Sequence, residues 1–483
     1  MSFTSLGYLV FLIITAFFCY KLKLKGRNIF LLAANYGFYA LYGTEHLPFL
    51  LGSTLFTFFA AKLIAAFEGK KRKIYLVAAL VLNLGLLFVF KYLEFFVQIL
   101  QGALKAFGID AGLSLPELIL PAGISFFIFQ TTGYLMDVYR KKQPPEKNFI
   151  DYALFASFFP ALISGPIQRA GDMLPQYKEK QPFSYENVKA GALQFVWGAF
   201  KKMVIADPVA VFVNTTYAQP EGASGFQLAT AAVFYSIQIY CDFSAYSDMA
   251  IGSAKVMGIR LPKNFDNPYF SASMQEFWRR WHISLSTWFR DYLYIPLGGN
   301  RKGKWRLYFN IIIVFLVSGL WHGAAPTFIV WGLLHGLYQV VGKMTEKYRE
   351  KFRKTLGISD ENKLLHTFRV VFTFILVTLA WVFFRADSVS KALSILGGML
   401  TLPWSLASIG ELGISKAQLI LLTVFIIILF VSEWLQERFS LAKGINESYL
   451  PRAAVYFVLL AAIMLFGHYG AGFDPMDFVY FKF

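Results

Sequence analysis

Two histidines, His322 and His335, lie thirteen residues apart in VSGLWHGAAPTFIVWGLLHG (residues 317–336), a stretch otherwise dominated by glycine, tryptophan and aliphatic residues. An ionisable group is expensive in apolar surroundings, and one kept at membrane depth is by default read as a functional site with a partner. Imidazole, with an unperturbed pKa near 6.5, suits the removal of a proton from a hydroxyl near neutral pH. His322 is followed by Gly323, Ala324 and Ala325, small residues that leave space against the ring, and Pro326 then permits a new helix to start. The ring is therefore expected near a hairpin tip, reachable by a substrate from outside. The competing reading is a histidine that packs between helices and bonds a neighbouring carbonyl. His335, in WGLLHG, could face the same cavity as a second catalytic or an orienting group, and spacing alone does not choose. His282, between Trp281 and Ile283, reads as an anchor or supporting group.

Further polar groups interrupt the apolar run YCDFSAYSDMAIG (240–252). Asp242 and Asp248 are six residues apart, so on a helix they point in different directions, and a paired acid–base device is not expected. Burial against a hydrated cavity or an arginine fits them better. Arg279, Arg280 and Arg290 carry guanidinium forks that match phosphate oxygens, although lipid head groups offer the same chemistry. Arg279, Arg280, Trp281, Ser318, Trp321, Asp242 and Asp248 are the candidates to line a donor cavity. No metal-ligand spacing is visible, and no glycine loop stands in the strand–turn–helix setting that cradles phosphates. Neither a metal, a bound cofactor nor ATP-driven pumping is expected.

The elements that must position these residues are membrane helices. Of the 483 residues, 57% are hydrophobic and 16% charged, a poor description of a soluble globular chain. Apolar runs near 7–20, 28–43, 47–67, 74–99, 119–139, 190–213, 226–254, 307–322, 326–343, 367–385, 416–436 and 452–469 predict an all-α polytopic membrane protein. The net charge of +17 is spread over short loops, such as GKKRK (69–73) and RKGKWR (301–306), so anionic lipid heads account for it better than nucleic acid. Placing those loops in the cytoplasm leaves both termini outside. The first run lacks a basic n-region and a cleavage site, and reads as retained. Cys19 and Cys241, both in apolar runs, are expected to be packing residues. Two stretches, 151–169 and 273–299, read as re-entrant or interfacial helices, since broken backbone at membrane depth survives only inside protein or along a wet cavity. A short helix is expected at 389–400, and one membrane domain is expected to span residues 1–483.

The pair of blocks EFWRRWHISLSTWFRDYLYIPLGGNR (276–301) and SGLWHGAAPTFIVWGLLHG (318–336) resembles the membrane-bound O-acyltransferase family, in the branch containing the integral-membrane subunit of bacterial alginate O-acetylation. PAGISFFIFQTTGYLMDVYR (121–140), FFPALISGPIQR (158–169), GAFKKMVIADPVA (198–210), QIYCDFSAYSDMAIGSAKVMGIRLPKNFDNPY (238–269), LAWVFFRADS (379–388) and FVYFKF (478–483) extend the likeness over nearly the whole chain. The resemblance implies about 11–12 transmembrane helices around a thinned centre, with a cytoplasmic tunnel for a thioester and an exterior funnel for the acceptor. It makes His322, in LWHG, the essential histidine, His282, in RRWH, the other prominent motif position, and His335 a frequent neighbour. It implies acetyl-CoA as donor substrate and an extracytoplasmic SGNH-type protein as the partner that passes the acetyl group to an exopolysaccharide. D-alanyl export from an acyl carrier protein and a polysaccharide-precursor transporter are the alternatives.

Overall fold

The structure is a computed structural model that describes the chain except for residues 111, 113, 114, 117, 360, 405–414, 470–477 and 479–483. Most of the FVYFKF block, and residues 405–414 beyond the helix expected at 389–400, therefore lie outside the described residues. Among the described residues all regular structure is helical. Six helices are long and apolar enough to cross a bilayer: Thr44–Ala66, Gly69–Lys91, Gly303–His322, Lys363–Arg385, Lys416–Phe439 and Tyr449–Phe466. The other expected spans are helical too, but shorter, broken or more polar. Leu6–Lys21 has 16 residues. The run 190–213 changes to π-helix at Lys201–Ala206. Gly225–Val256 and Pro326–Thr355, of 32 and 30 residues, are long but carry Asp242 and Asp248 and the buried His335. The helix expected at 389–400 is present as Val389–Thr401, and Cys19 and Cys241 are both buried.

The chain divides into two compact units, interleaved in sequence. The first comprises Met1–Ala192, Ala250–Pro262 and Gly323–Ala325. Its helices are joined by buried amides and hydroxyls, which in lipid do what apolar burial does in water. Asn83 donates to Thr131 and Thr132 at 3.0 and 3.1 Å and accepts from Ser53 at 3.1 Å, tying three helices together. The stretch 151–169 is broken as expected: Phe149–Ser157 stops at Phe158, and a single turn, Phe159–Leu162, follows. Asn35 receives the freed Phe159 N–H at 3.1 Å, so the break leaves that donor satisfied inside protein.

The second unit comprises Leu193–Met249, Lys263–His322 and Pro326–Phe483, and it holds all three candidate histidines. Its most extensive helix pairing is Gly303–His322 against Pro326–Thr355. Two glycines allow it. A Cβ on Gly319 would stand 2.2 Å from the Phe328 carbonyl oxygen, and one on Gly332 would stand 2.3 Å from that of Phe315. Small residues let membrane helices approach backbone to backbone, which is the main source of their packing energy.

Gly332→Ala is therefore expected to lower the melting temperature of the detergent-solubilised protein by an amount equivalent to about 1–3 kcal/mol, the usual range for overpacking. Gly342→Ala, on the same helix but with open space at its Cβ, is the control and is expected to leave melting unchanged.

Candidate functional site

His322 is the last residue of Gly303–His322, and Pro326 opens the next helix at its first position, where its missing N–H is harmless. Returning from this tip, Trp331 and His335 stand four residues apart and so share one face of the helix. The ring of Trp331 lies 5.1 Å from that of His322 and 4.9 Å from that of His335, centroid to centroid. Phe384, from Lys363–Arg385, closes another side of His322 at 5.2 Å. On the remaining flank Trp321 contacts His322 at 4.9 Å and His282 at 6.0 Å. An unbroken series of ring contacts thus runs from His282 through Trp321, His322 and Trp331 to His335. The three histidines do belong to one cluster.

The expected openness of His322 is not observed. The ring is 2% exposed, and aromatic side chains enclose it. The small residues Gly323, Ala324 and Ala325 do not leave it open to solvent, because Trp331 and Phe384 come from elsewhere to cover it. Any approach of substrate requires these side chains to move.

His335 is fully buried, and its Nδ1 accepts a hydrogen bond from the indole Nε1–H of Trp278 at 3.2 Å. Indole only donates, so Nδ1 carries no proton, and the neutral ring holds its proton on Nε2. His335 is thereby a donor through Nε2. As long as this bond stands, it is not an imidazolium.

His282 sits at a break in the stretch 273–299. Phe277, Trp281, Leu285, Trp288 and Tyr292, spaced by three or four residues, are all buried, but no single helix carries them. Met274–Arg280 ends at Trp281, His282 adopts a left-handed conformation (φ 44°, ψ 54°), Ile283–Phe289 follows, and Arg290–Tyr294 is π-helical. A non-glycine residue at positive φ is uncommon and needs outside support. Asn264 supplies it, its backbone carbonyl accepting from the Ile283 N–H at 2.9 Å and its side chain from the Ser284 N–H and hydroxyl at 3.2 and 2.8 Å. The His282 ring packs on Phe243 at 4.6 Å.

The remaining candidates fall into different places. Trp281, Trp321 and Ser318 are buried. Arg279 is exposed, and Arg280 is held by Glu276 at 2.8 Å and Glu437 at 3.0 Å, so a phosphate would have to displace two carboxylates from it. Asp242 is buried and Asp248 partly so, and each lies against the charge of a lysine. Lys202 reaches Asp242 at 2.6 Å and Asp207 at 3.0 Å, and Lys201 reaches Asp248 at 2.6 Å and the Ser244 hydroxyl at 2.7 Å. Consecutive lysines on an ordinary helix would diverge by about 100°; here both stand in the π-helical turn Lys201–Ala206, whose wider winding changes that angle. Lys201, Lys202, Asn264, Trp278 and Trp331 were not singled out by their spacing. A pair of lysines inside an apolar run, in AFKKMVIA, was the available signal for the first two.

The family model described as MBOAT, membrane-bound O-acyltransferase family, matches residues 141–384, which include every residue of the histidine cluster. The chain is 39% identical to a peptidoglycan O-acetyltransferase of Helicobacter pylori, over 83% of this chain and 78% of that protein. It is 37% identical to a probable alginate O-acetylase of Pseudomonas putida, over 82% and 80% of the respective chains. A teichoic acid D-alanyltransferase of Bacillus subtilis is similar at 30% identity over 49% of this chain and 62% of its own.

Breaking a buried pair strands a charge at a cost of about 3–5 kcal/mol. Lys202→Met, which removes the lysine charge that the buried Asp242 and Asp207 share, is expected to lower the melting temperature more than Lys201→Met, whose partner Asp248 is partly exposed at 23%. Differential scanning of both variants in one detergent checks the order.

Proposed function

The chain belongs to the membrane-bound O-acyltransferase family and is a multi-pass membrane acyltransferase, and from that premise we propose that it moves an acetyl group from acetyl-CoA in the cytoplasm to a hydroxyl outside a bacterial cytoplasmic membrane. The acceptor is an extracytoplasmic polymer of the alginate-like exopolysaccharide class, reached through an exported SGNH-type protein that takes the acetyl group first. Both termini lie on the outer side. The names of the alginate and peptidoglycan relatives support transfer of acetyl to a polymer hydroxyl. The more distant D-alanyltransferase supports carrier-bound D-alanine less well, matching about half of this chain.

The observation that carries the reading is the enclosure of His322, an imidazole at a helix end, among Trp321, Trp331 and Phe384. Once an acceptor hydroxyl displaces part of that enclosure, His322 takes its proton as the oxygen attacks the thioester carbonyl carbon. A tetrahedral intermediate forms, the C–S bond breaks, and the leaving thiolate takes the proton from His322. Water is excluded by the same aromatic walls, which matters because water competes with the acceptor for the acyl group. His282 supports Trp321, and His335 orients the cluster from the other side.

His322→Ala is expected to reduce transfer of labelled acetyl from acetyl-CoA to the exported partner by about 10²–10⁴-fold, the usual contribution of a positioned base. The assay uses both purified proteins in detergent, with melting of the variant unchanged. Transfer persisting at the wild-type rate would remove His322 from the mechanism. Transfer from a carrier-bound D-alanyl thioester, but not from acetyl-CoA, would replace the acetyl reading with D-alanyl export.

A further inference from the structure

Among the described residues, the side-chain N–H groups of Trp331 and His335 are without acceptors. Trp331 and His335 are both fully buried, and neither Trp331 Nε1 nor His335 Nε2 has a hydrogen-bond partner among the described residues. Buried donors are nearly always satisfied, so an orphan calls for an explanation in strain or chemistry. Here two orphans occur on rings 4.9 Å apart, and one of those rings stands perpendicular to His322 at 5.1 Å and 86°. The proton on His335 Nε2 is no accident of assignment, since the Trp278 indole occupies Nδ1 and leaves Nε2 as the only place for it.

Resting on the acyl-transfer reading above, we propose that Trp331 Nε1–H and His335 Nε2–H are the oxyanion donors of the reaction. When the acceptor oxygen bonds to the thioester carbonyl carbon, the π pair of the C=O bond moves onto its oxygen. That oxyanion accepts from the two N–H groups while His322 holds the acceptor's proton. Collapse re-forms the C=O bond, expels the thiolate and passes the proton from His322 to sulfur, so charge and atoms balance without any further reactant. The donors are orphaned in the resting enzyme because their acceptor exists only in the transition state, and in a water-excluded site such donors act with little screening. Trp278 is a positioning residue: it touches no reacting atom and acts by keeping His335 in the donor tautomer. His335 is on this account neither a second base nor a mere packing residue.

The test replaces Trp331 by benzothienylalanine, which keeps the shape of indole and substitutes sulfur for the N–H, in the full-length protein assayed with acetyl-CoA and its exported partner. The expected result is a fall in kcat of about 10²-fold, the effect of losing one oxyanion donor, with KM for acetyl-CoA unchanged within twofold. Trp331→Phe is expected to move kcat the same way. For Trp278→Phe, which frees His335 to move its proton to Nδ1, kcat is expected to fall while KM for acetyl-CoA stays within twofold. A kcat within twofold of wild type for the benzothienylalanine enzyme, at unchanged melting temperature, overturns the proposal. Absence of acetyl transfer by the wild-type pair instead overturns the acetyl-transfer reading, so the two failures are distinct.

Discussion

The backbone approach at Gly319 and Gly332 is the constraint on which the cluster depends. In lipid there is no hydrophobic force to press two apolar helices together, so their separation is set by the smallest residues at the crossing. Because both crossing positions lack a Cβ, Gly303–His322 and Pro326–Thr355 come within reach of each other's carbonyls, and Trp331 lands on His322 instead of beside it. One turn further, at the same helical face, comes His335. Any larger residue at the crossing would separate the imidazole from the indole that covers it.

Around that crossing, the polar groups obey a stricter rule than they would in a soluble protein. Nothing but protein can satisfy them at membrane depth. Asn264 accepts the hydrogen bonds that allow His282 its left-handed turn, and Lys201 and Lys202 pair with three aspartates from one π-helical turn. Trp278 caps His335 Nδ1. Each of these is a local departure from regular helix or apolar composition that is compensated by a named partner. The N–H groups of Trp331 and His335 have no such partner among the described residues.

An enclosed imidazole changes what a histidine can do. In water it would share its protons with solvent; within aromatic walls it exchanges them with whatever is bound beside it.

Much of this was legible from residue order. Composition and the length of the apolar runs establish a polytopic helical membrane protein, and His322 beside Gly323 and Pro326 marks a helix end. The prolines and glycine of 151–169 announce a broken element, because those residues act on their own backbone. The halves of 273–299 were not separable, since the break falls at a histidine whose φ is decided by Asn264. The partners of Asp242 and Asp248 were equally hidden, being lysines 40 and 47 residues away whose spread depends on a π-turn. Sequence by itself determined which groups must be expensive where they are, because desolvation acts on each residue alone. Only the tertiary structure decided what covers His322 and which nitrogen of His335 bears the proton, because enclosure and tautomer belong to neighbours brought in from distant parts of the chain.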